Sequence, residues 1–200
     1  MKLPAFSQRR PIAVLALRCA AALVPLASFG VVVSEAAPVS AAQQVPACAT
    51  SGLVVWLDTM GNGTAGGTYY NLELTNLSGH SCTLRGYPGV SAVNLTGEQL
   101  GSAASRDTVA APGLVTLKSG TSAAGLPPVG IDATATVVLK ITDVGVYGPS
   151  SCKYVTASGL RVYPPDQTAS KVVPFPFVAC SRTGPVFLQV SSVGKDIPSG

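Results

Sequence analysis

Hydrophobic and polar residues alternate with a period of two along most of the chain beyond residue 43. In the segment 68–75 the apolar positions are Tyr70, Leu72 and Leu74, and in the segment 133–142 they are Ala135, Val137, Leu139 and Ile141. This period places successive side chains on opposite faces of a β-strand, so both segments predict strands with one buried face. The same alternation recurs near the end of the chain at Val186, Leu188 and Val190.

Five further strands are predicted at 53–58, 83–95, 114–117, 153–162 and 171–178, and loops rich in Gly, Pro, Asn or Ser at 61–67, 101–107, 126–131 and 163–170. The strand at 171–178 contains Pro174 and Pro176, which have no N–H to donate, so we expect an edge strand or a bulge there. No stretch longer than about ten residues has the 3.6-residue period of a helix. The pattern therefore predicts one all-β domain, with two antiparallel sheets packed as a β-sandwich.

The N-terminal segment has the pattern of a secretory signal peptide, assigned here to 1–36. Residues 1–18 contain four basic residues, Lys2, Arg9, Arg10 and Arg18, and no acidic residue. They precede an uncharged run at 19–33, which is shorter than the roughly 20 apolar residues of a membrane span. Cleavage is expected after Ala36 or as late as residue 42. A flexible segment at 37–47, a single domain at 48–193 and a tail at 194–200 would follow.

Two other export signals fit the N-terminal residues less well. A lipid-modified Cys19 is disfavoured because the long, charged Arg18 precedes it where a small residue is needed. The Arg9–Arg10 pair suggests a twin-arginine signal, but Pro11 and Ile12 do not continue that motif. An ordinary secretory leader is the remaining interpretation.

Removing the leader changes the charge of the chain. Of the 13 basic and nine acidic residues, four bases and Glu35 leave with it, so nine bases and eight acids give a net charge of +1. The remaining Lys and Arg residues are dispersed, so no nucleic-acid partner is predicted. Four cysteines remain, namely Cys48, Cys82, Cys152 and Cys180. An even number in an exported chain predicts two disulfides, for which three pairings are possible.

One stretch resembles the domain of unknown function 4232 family of secreted or lipid-anchored actinobacterial envelope proteins. It reads Tyr70-Asn71-Leu72-Glu73-Leu74-Thr75-Asn76, then Ser78-Gly79-His80-Ser81-Cys82-Thr83-Leu84-Arg85-Gly86-Tyr87-Pro88-Gly89-Val90. The other markers, in order, are Cys48, Gly97, Gly101, Leu117, Gly120, Ala123, Cys152, Gly159-Leu160, Pro164-Pro165 and Cys180. The resemblance covers Cys48 to about Val193. Ser119 departs from it, because many relatives have proline there.

The resemblance implies an immunoglobulin-like β-sandwich located in the cell envelope or secreted, with no known reaction. Within that fold we favour disulfides between sequence neighbours, Cys48–Cys82 and Cys152–Cys180, and a crossed pairing stays open. In the chain-entropy model, each loop of roughly 30 residues closed in this way stabilises the fold by about 3 to 4 kcal/mol.

Candidate chemistry is sparse. His80 is the sole histidine and is expected in a solvated turn, so neither a metal site nor a serine triad is predicted, and no cofactor is expected. The glycine-rich stretch 61–67 lacks the lysine of a phosphate loop and is interpreted as a flexible hairpin connection. Trp56, Tyr69, Tyr70 and Tyr87 are interpreted mainly as core or sheet-face aromatics. Alternatively, Trp56 and Tyr69, near that stretch, form part of a ligand surface at one end of the sandwich.

These features favour a secreted or cell-envelope binding module without enzymatic activity, whose loops at one end contact an envelope protein or a cell-wall glycan. An alternative is an envelope hydrolase that uses two carboxylates. The acids available after the leader are Asp58, Glu73, Glu98, Asp107, Asp132, Asp143, Asp166 and Asp196. A third possibility is a structural component of the envelope. No transmembrane segment is predicted in the mature chain.

Overall fold

The computed structural model describes residues 44–123, 130 and 132–195, all of them within the unit Ala42–Gly200. The predicted signal peptide 1–36, the cleavage region up to residue 42 and Cys19 lie outside the described residues. Most of the predicted loop 126–131 and residues 196–200 of the predicted tail lie outside them as well.

Strands account for most of the described secondary structure, as the alternation of apolar residues predicts. They are β1 (Leu53–Thr64), β2 (Gly67–Asn76), β3 (Cys82–Arg85), β4 (Gly89–Val93), β5 (Gln99–Leu100), β6 (Ser105–Arg106), β7 (Leu114–Leu117), β8 (Thr134–Thr142), β9 (Tyr154–Tyr163), β10 (Lys171–Cys180) and β11 (Leu188–Val190). A 3-10 turn, Thr50–Gly52, precedes β1. A second 3-10 turn, Val144–Val146, and the four-residue helix α1 (Pro149–Cys152) lie between β8 and β9.

The strands form a five-stranded sheet in the order β1-β2-β8-β11-β6, a four-stranded sheet in the order β10-β9-β4-β5 and a two-stranded sheet of β3 and β7. The all-β fold with several sheets and two disulfides is confirmed. Two features differ from the expected pair of antiparallel sheets: the third sheet, and the parallel pairing of β6 with β11. The immunoglobulin-like arrangement remains a prediction.

The core contains the apolar side chains that alternation places on the inward faces. Ala135, Val137 and Leu139 of β8 are fully buried, as are Leu72 and Leu74 of β2. A chain of aromatic rings continues this core. It runs from Tyr70 through Phe175 and Phe177 to Phe187, with neighbouring ring centroids 5.1, 5.9 and 6.4 Å apart. The inward positions predicted for 68–75 and 133–142 are therefore confirmed. Val186 does not continue the last strand, since it is 43% exposed and precedes β11.

Three predicted segments differ from the structure. The predicted strand 83–95 is divided into β3 and β4, which belong to different sheets. Gly86 and Pro88 lie between them. Gly86 has φ at +104°, which is not an extended conformation, and Pro88 has no N–H to donate, so neither residue fits a continuous strand ladder. The predicted loop 61–67 is largely strand, because Thr64 pairs with Gly67 across a turn of only Ala65 and Gly66. The predicted loop 101–107 contains the short strand β6.

The proline-containing strand behaves as expected. β10 lies at the edge of the four-stranded sheet, and its pairing with β9 shifts register between Pro174 and Phe177. The edge position and the bulge, which were predicted as alternatives, therefore occur together. Because prolines cannot donate ladder hydrogen bonds, they also hinder a further strand from pairing at this edge.

The structure contains the disulfides Cys48–Cys82 and Cys152–Cys180, so each cysteine pairs with the next one along the chain, as favoured from the sequence. The first joins the segment before β1 to the start of β3, where Cys48 N also donates to Thr83 O over 2.9 Å. The second joins the end of α1 to the end of β10. Within the described ranges, no helix is long and apolar enough to cross a membrane.

A buried asparagine connects the elements beside the first disulfide. The Asn76 side chain is fully buried, and its Nδ2 donates to His80 O over 2.8 Å and to Lys118 O over 3.1 Å. Its Oδ1 accepts from Ser78 N over 3.0 Å. One amide side chain therefore satisfies three backbone groups in the turn after β2 and in the segment after β7, as buried polar groups require.

Candidate functional site

The structure places Trp56 and Tyr69 on the outward face of the five-stranded sheet. Trp56 in β1 lies between Val55 and Leu57, which point into the core, and Tyr69 in β2 precedes the inward Tyr70. We call this surface the aromatic face and define it by Trp56, Asp58, Tyr69, Asn71, Glu73 and Lys140. It lies on strands rather than on the loops where the sequence suggested a ligand surface.

The Trp56 indole is held by the sheet beneath it. Its Nε1 donates to Thr75 Oγ1 over 3.3 Å, and that oxygen lies 2.9 Å from Thr134 Oγ1. Thr75 is fully buried although it occupies an outward position. Because the single indole donor is already used within the protein, Trp56 can offer a ligand only the face of its ring.

Two carboxylates lie on the same face beside Trp56. Glu73 is the direct cross-strand partner of Trp56, is 9% exposed, and accepts from Thr136 Oγ1 at its Oε2 over 2.8 Å. Asp58 pairs with Asn71, two positions from Glu73 on β2, and its Oδ1 accepts from Met60 N over 3.0 Å. Diagonal neighbours of this kind lie about 7 to 8 Å apart, and their β-carbons are somewhat closer.

Tyr69 lies further along the face. It pairs with Lys140 on β8, and the Lys140 Nζ lies 5.5 Å from the centre of the Tyr69 ring, within the range of a cation–π contact. Tyr69 is four residues from Glu73 on β2, a separation of about 13 Å at the usual strand rise. Asn71 occupies the outward position between them. The face therefore presents two separated rings with polar side chains between.

A concave site, separate from the aromatic face, lies at the tip of the β1–β2 hairpin. It is an open cleft of about 550 Å³, which we call the hairpin cleft, between the hairpin, the turn after β8, and strands β9 and β10. The predicted glycine-rich stretch contributes Gly63, Thr64, Gly66 and Gly67 to its wall. Trp56 and Tyr69 do not line it, so the structure separates what the sequence analysis treated as one surface.

Aromatic side chains from three strands line the hairpin cleft: Tyr70 of β2, Tyr154 of β9 and Phe177 of β10. Tyr70 meets the Phe175 ring edge-to-face. The Tyr154 hydroxyl donates to Tyr147 O, which fixes the position of its ring, and the residue is 42% exposed. The rings are therefore held in place while their surfaces remain partly accessible.

Asp143 supplies the carboxylate of the cleft. It caps the 3-10 turn Val144–Val146 by accepting from Gly145 N at Oδ1 over 2.9 Å. Its own N–H donates to Gly66 O over 3.0 Å, which ties the tip of the hairpin to the end of β8. The structure therefore holds the Asp143 backbone and one of its carboxylate oxygens in a defined position at the wall of the cleft.

The model of the family described as Domain of unknown function (DUF4232) matches residues 48–126. We call this matched part of the chain the DUF4232 segment. The resemblance proposed from the cysteine and Gly-Tyr-Pro motif is thus confirmed for residues 48–126, and its continuation to about Val193 remains a prediction. No curated protein and no solved structure matches the chain.

The DUF4232 segment includes β1 to β7 and the disulfide Cys48–Cys82. It therefore carries Trp56, Tyr69 and Glu73 of the aromatic face, whereas Lys140 follows it. The hairpin cleft combines both parts, because Tyr70 belongs to the DUF4232 segment while Asp143, Tyr154 and Phe177 lie beyond it.

The remaining candidate residues lie apart from these two sites. His80 is exposed, and its carbonyl accepts from the side chains of Asn76 and Ser78. No group of three or more His, Cys, Asp or Glu residues that could hold a metal occurs among the described residues. Hydrogen bonds from Asn94 and Thr96 lower the pKa of Glu98, and hydrogen bonds and charge from Lys195 and Lys118 lower that of Asp132.

Sequence reasoning missed most of the residues that line the hairpin cleft. Tyr70 was correctly assigned to the inward face, but an inward aromatic usually indicates core packing. Tyr154 stands at the start of β9 and Phe177 lies on the edge strand β10, where burial is incomplete. The position of an aromatic residue near a strand end or on an edge strand was the available signal, and it does not specify which strands meet.

Proposed function

We propose that the protein is an extracytoplasmic binding module without enzymatic activity, and that its aromatic face holds a glycan of the cell envelope. One observation carries this proposal: Trp56 and Tyr69 share one sheet face, with hydrogen-bonding side chains between them. A rigid strand scaffold orders such a surface before the ligand arrives, which lowers the entropy cost of binding.

The chemistry of the face matches that of a sugar chain. Sugar rings combine apolar C–H faces with hydroxyl groups, and aromatic side chains combine a large apolar surface with low conformational entropy. Asn71 can donate to and accept from hydroxyls between the two rings, and Lys140 can donate to them. A span of about 13 Å between the rows of Trp56 and Tyr69 favours a ligand longer than one sugar unit.

The location outside the cytoplasm is supported by the covalent structure. Disulfides persist in oxidising compartments and are rare in reducing ones, and this chain has two between described residues. The predicted signal peptide at 1–36 likewise favours export from the cytoplasm. Retention in the envelope, rather than release, follows from the proposed glycan ligand.

The proposal is tested by measuring retention of the purified, oxidised chain on cell-wall polysaccharide and peptidoglycan fractions. Trp56→Ala should weaken binding about tenfold, a loss of about 1.4 kcal/mol, and Tyr69→Ala should weaken it several-fold. Tyr163→Ala, on the four-stranded sheet, is the matched control and should bind like the unmodified chain. Binding that is unchanged in both face variants, or undetectable in the unmodified chain, would refute the assignment. Retention by envelope proteins alone would indicate a protein partner instead.

A hydrolase with two carboxylates is the second candidate, because Asp58 and Glu73 lie diagonally across two strands beside Trp56. Glycosidases place their two carboxyl groups about 5 to 9.5 Å apart, a range that this arrangement can reach. Release of reducing ends from the bound glycan, abolished by Glu73→Gln and by Asp58→Asn, would favour the hydrolase. The binding module should release none over prolonged incubation.

A further inference from the structure

We propose that the hairpin cleft is a second binding site, separate from the aromatic face, and that it takes an alkylammonium group such as a lysine side chain. The proposal rests on the combination of three aromatic walls, one carboxylate and an apolar floor in the same cleft. It does not depend on the glycan proposal, since Trp56 and Tyr69 do not line this cleft.

The aromatic walls suit a cation. The ring faces of Tyr70, Tyr154 and Phe177 carry negative electrostatic potential, and an ammonium group within about 6 Å of a ring centre is attracted to it. The Tyr154 hydroxyl donates to Tyr147 O, and the residue is 42% exposed, so a ligand can reach it without displacing other parts of the protein. Lys140 already makes such a contact with Tyr69 on the neighbouring face.

The charge of the cleft has the matching sign. Among the described residues that line it, Asp143 is the only charged one. Its Oδ1 is used by Gly145 N, and the described part of the chain provides no hydrogen-bond partner for its Oδ2. An ammonium group can pair with that oxygen while its methylene groups contact the rings. An anionic ligand would find no cation in the described wall of the cleft.

The remaining wall residues suit an alkyl stem and leave the cleft open. Ile141, Val144 and Val178 provide apolar surface, and Val178 is 56% exposed. A β-carbon built on Gly63 or Gly66 would have no atom within 4 Å, so the hairpin wall has no side chains obstructing it there. A straight methylene chain ending in an ammonium group fits these surfaces better than a branched, hydroxyl-rich sugar.

The test uses the full, oxidised chain and two probes of equal length: lysine with both ends blocked, and the analogue in which a hydroxyl replaces the amine. Binding is followed by backbone amide shifts in NMR spectra, which also report whether each variant is folded. The lysine probe should shift the amides around Gly66 and Gly145 in a saturable way, and the hydroxyl analogue should bind at least tenfold more weakly. Equal affinity for both probes, or no saturable shift, would overturn the proposal.

Two variants locate the site. Asp143→Asn keeps the oxygen that caps the turn but removes the charge, and it should weaken lysine binding at least tenfold. Asp107→Asn is the matched control, because Asp107 also accepts from the N–H two residues ahead, at Val109, but lies outside the cleft. Tyr154→Leu should weaken both probes. Unchanged lysine affinity in Asp143→Asn would overturn the proposal.

A further comparison separates this inference from the proposed function. Trp56→Ala should leave lysine affinity unchanged, whereas Asp143→Asn should leave glycan retention unchanged. Failure of the glycan assay with intact amine binding would refute only the aromatic face, and the reverse result would refute only the cleft. Because the pairing is ionic at a solvent-exposed site, lysine affinity should also fall as salt is added.

Discussion

Replacement of Asn76 by alanine should destabilise the fold more than its size suggests. The side chain makes three hydrogen bonds of 2.8 to 3.1 Å to backbone groups from a fully buried position. Each such bond contributes about 1 kcal/mol net, and buried groups left unpaired add to the loss. Asn76→Ala should therefore lower the free energy of unfolding by about 3 kcal/mol.

The measurement is urea unfolding of the oxidised protein, with fluorescence and circular dichroism followed in parallel. With a slope of about 1.5 to 2 kcal/mol per molar, the urea midpoint should fall by about 1.5 to 2 M. Asn62→Ala is the matched control, because Asn62 is exposed in the hairpin and should change the stability by less than about 0.5 kcal/mol.

The aspartate variant tests the direction of the hydrogen bonds. Asn76→Asp has nearly the same shape, but an ionised carboxylate can only accept, so the bonds to His80 O and Lys118 O are lost and their oxygens face a like charge. It should be at least as unstable as Asn76→Ala at pH 7. If either Asn76 variant unfolds at the same urea concentration as Asn62→Ala, the buried network does not stabilise this fold.

Two further predictions concern the backbone and the surface charges. Gly101 has φ at +64°, and a β-carbon there would lie 2.6 Å from Cys180 O, so Gly101→Ala should lower the free energy of unfolding by about 3 kcal/mol in urea unfolding. Gly113→Ala, where a β-carbon would have no atom within 4 Å, should be nearly neutral in the same assay. Hydrogen bonds and charge from Lys195 and Lys118 hold the pKa of Asp132 below its ordinary value, so the two ion pairs stabilise the fold at neutral pH and are lost as the pH falls through the lowered pKa. Asp132→Asn should therefore lose less stability between pH 7 and pH 3 than the unmodified chain in low salt, and identical pH profiles would contradict this.

Local patterns predicted most of the strands because burial of one sheet face leaves a period of two in the sequence. The prediction was best where strands are regular, as for 114–117, whose bounds coincide with β7. The short strands β5 and β6 were missed, since two residues carry no period. The hairpin tip was missed for a different reason: glycine and asparagine disfavour strands, yet pairing with β2 extends β1 to Thr64.

The candidate sites were only partly predictable. Trp56 and Tyr69 were singled out as aromatic residues near a glycine-rich stretch, but their common face depends on the cross-strand register of β1, β2 and β8. The hairpin cleft was not predicted, because its lining comes from distant segments of the chain. Tyr70, for example, is more than 80 residues from Tyr154 and Phe177. No local pattern reports which of these segments become neighbours.

The sequence by itself determined that the chain folds as strands, which side chains point inward on the regular strands, and that proline interrupts β10. These properties follow from the local geometry of the backbone and from the period of burial. Only the tertiary structure decided that β6 runs parallel to β11 and that the segment 83–95 contributes strands to two different sheets. It also decided that the Asp143 carboxylate and three aromatic side chains line one cleft at the hairpin. Such outcomes depend on packing between distant segments, whose energies are set by the whole fold rather than by neighbouring residues.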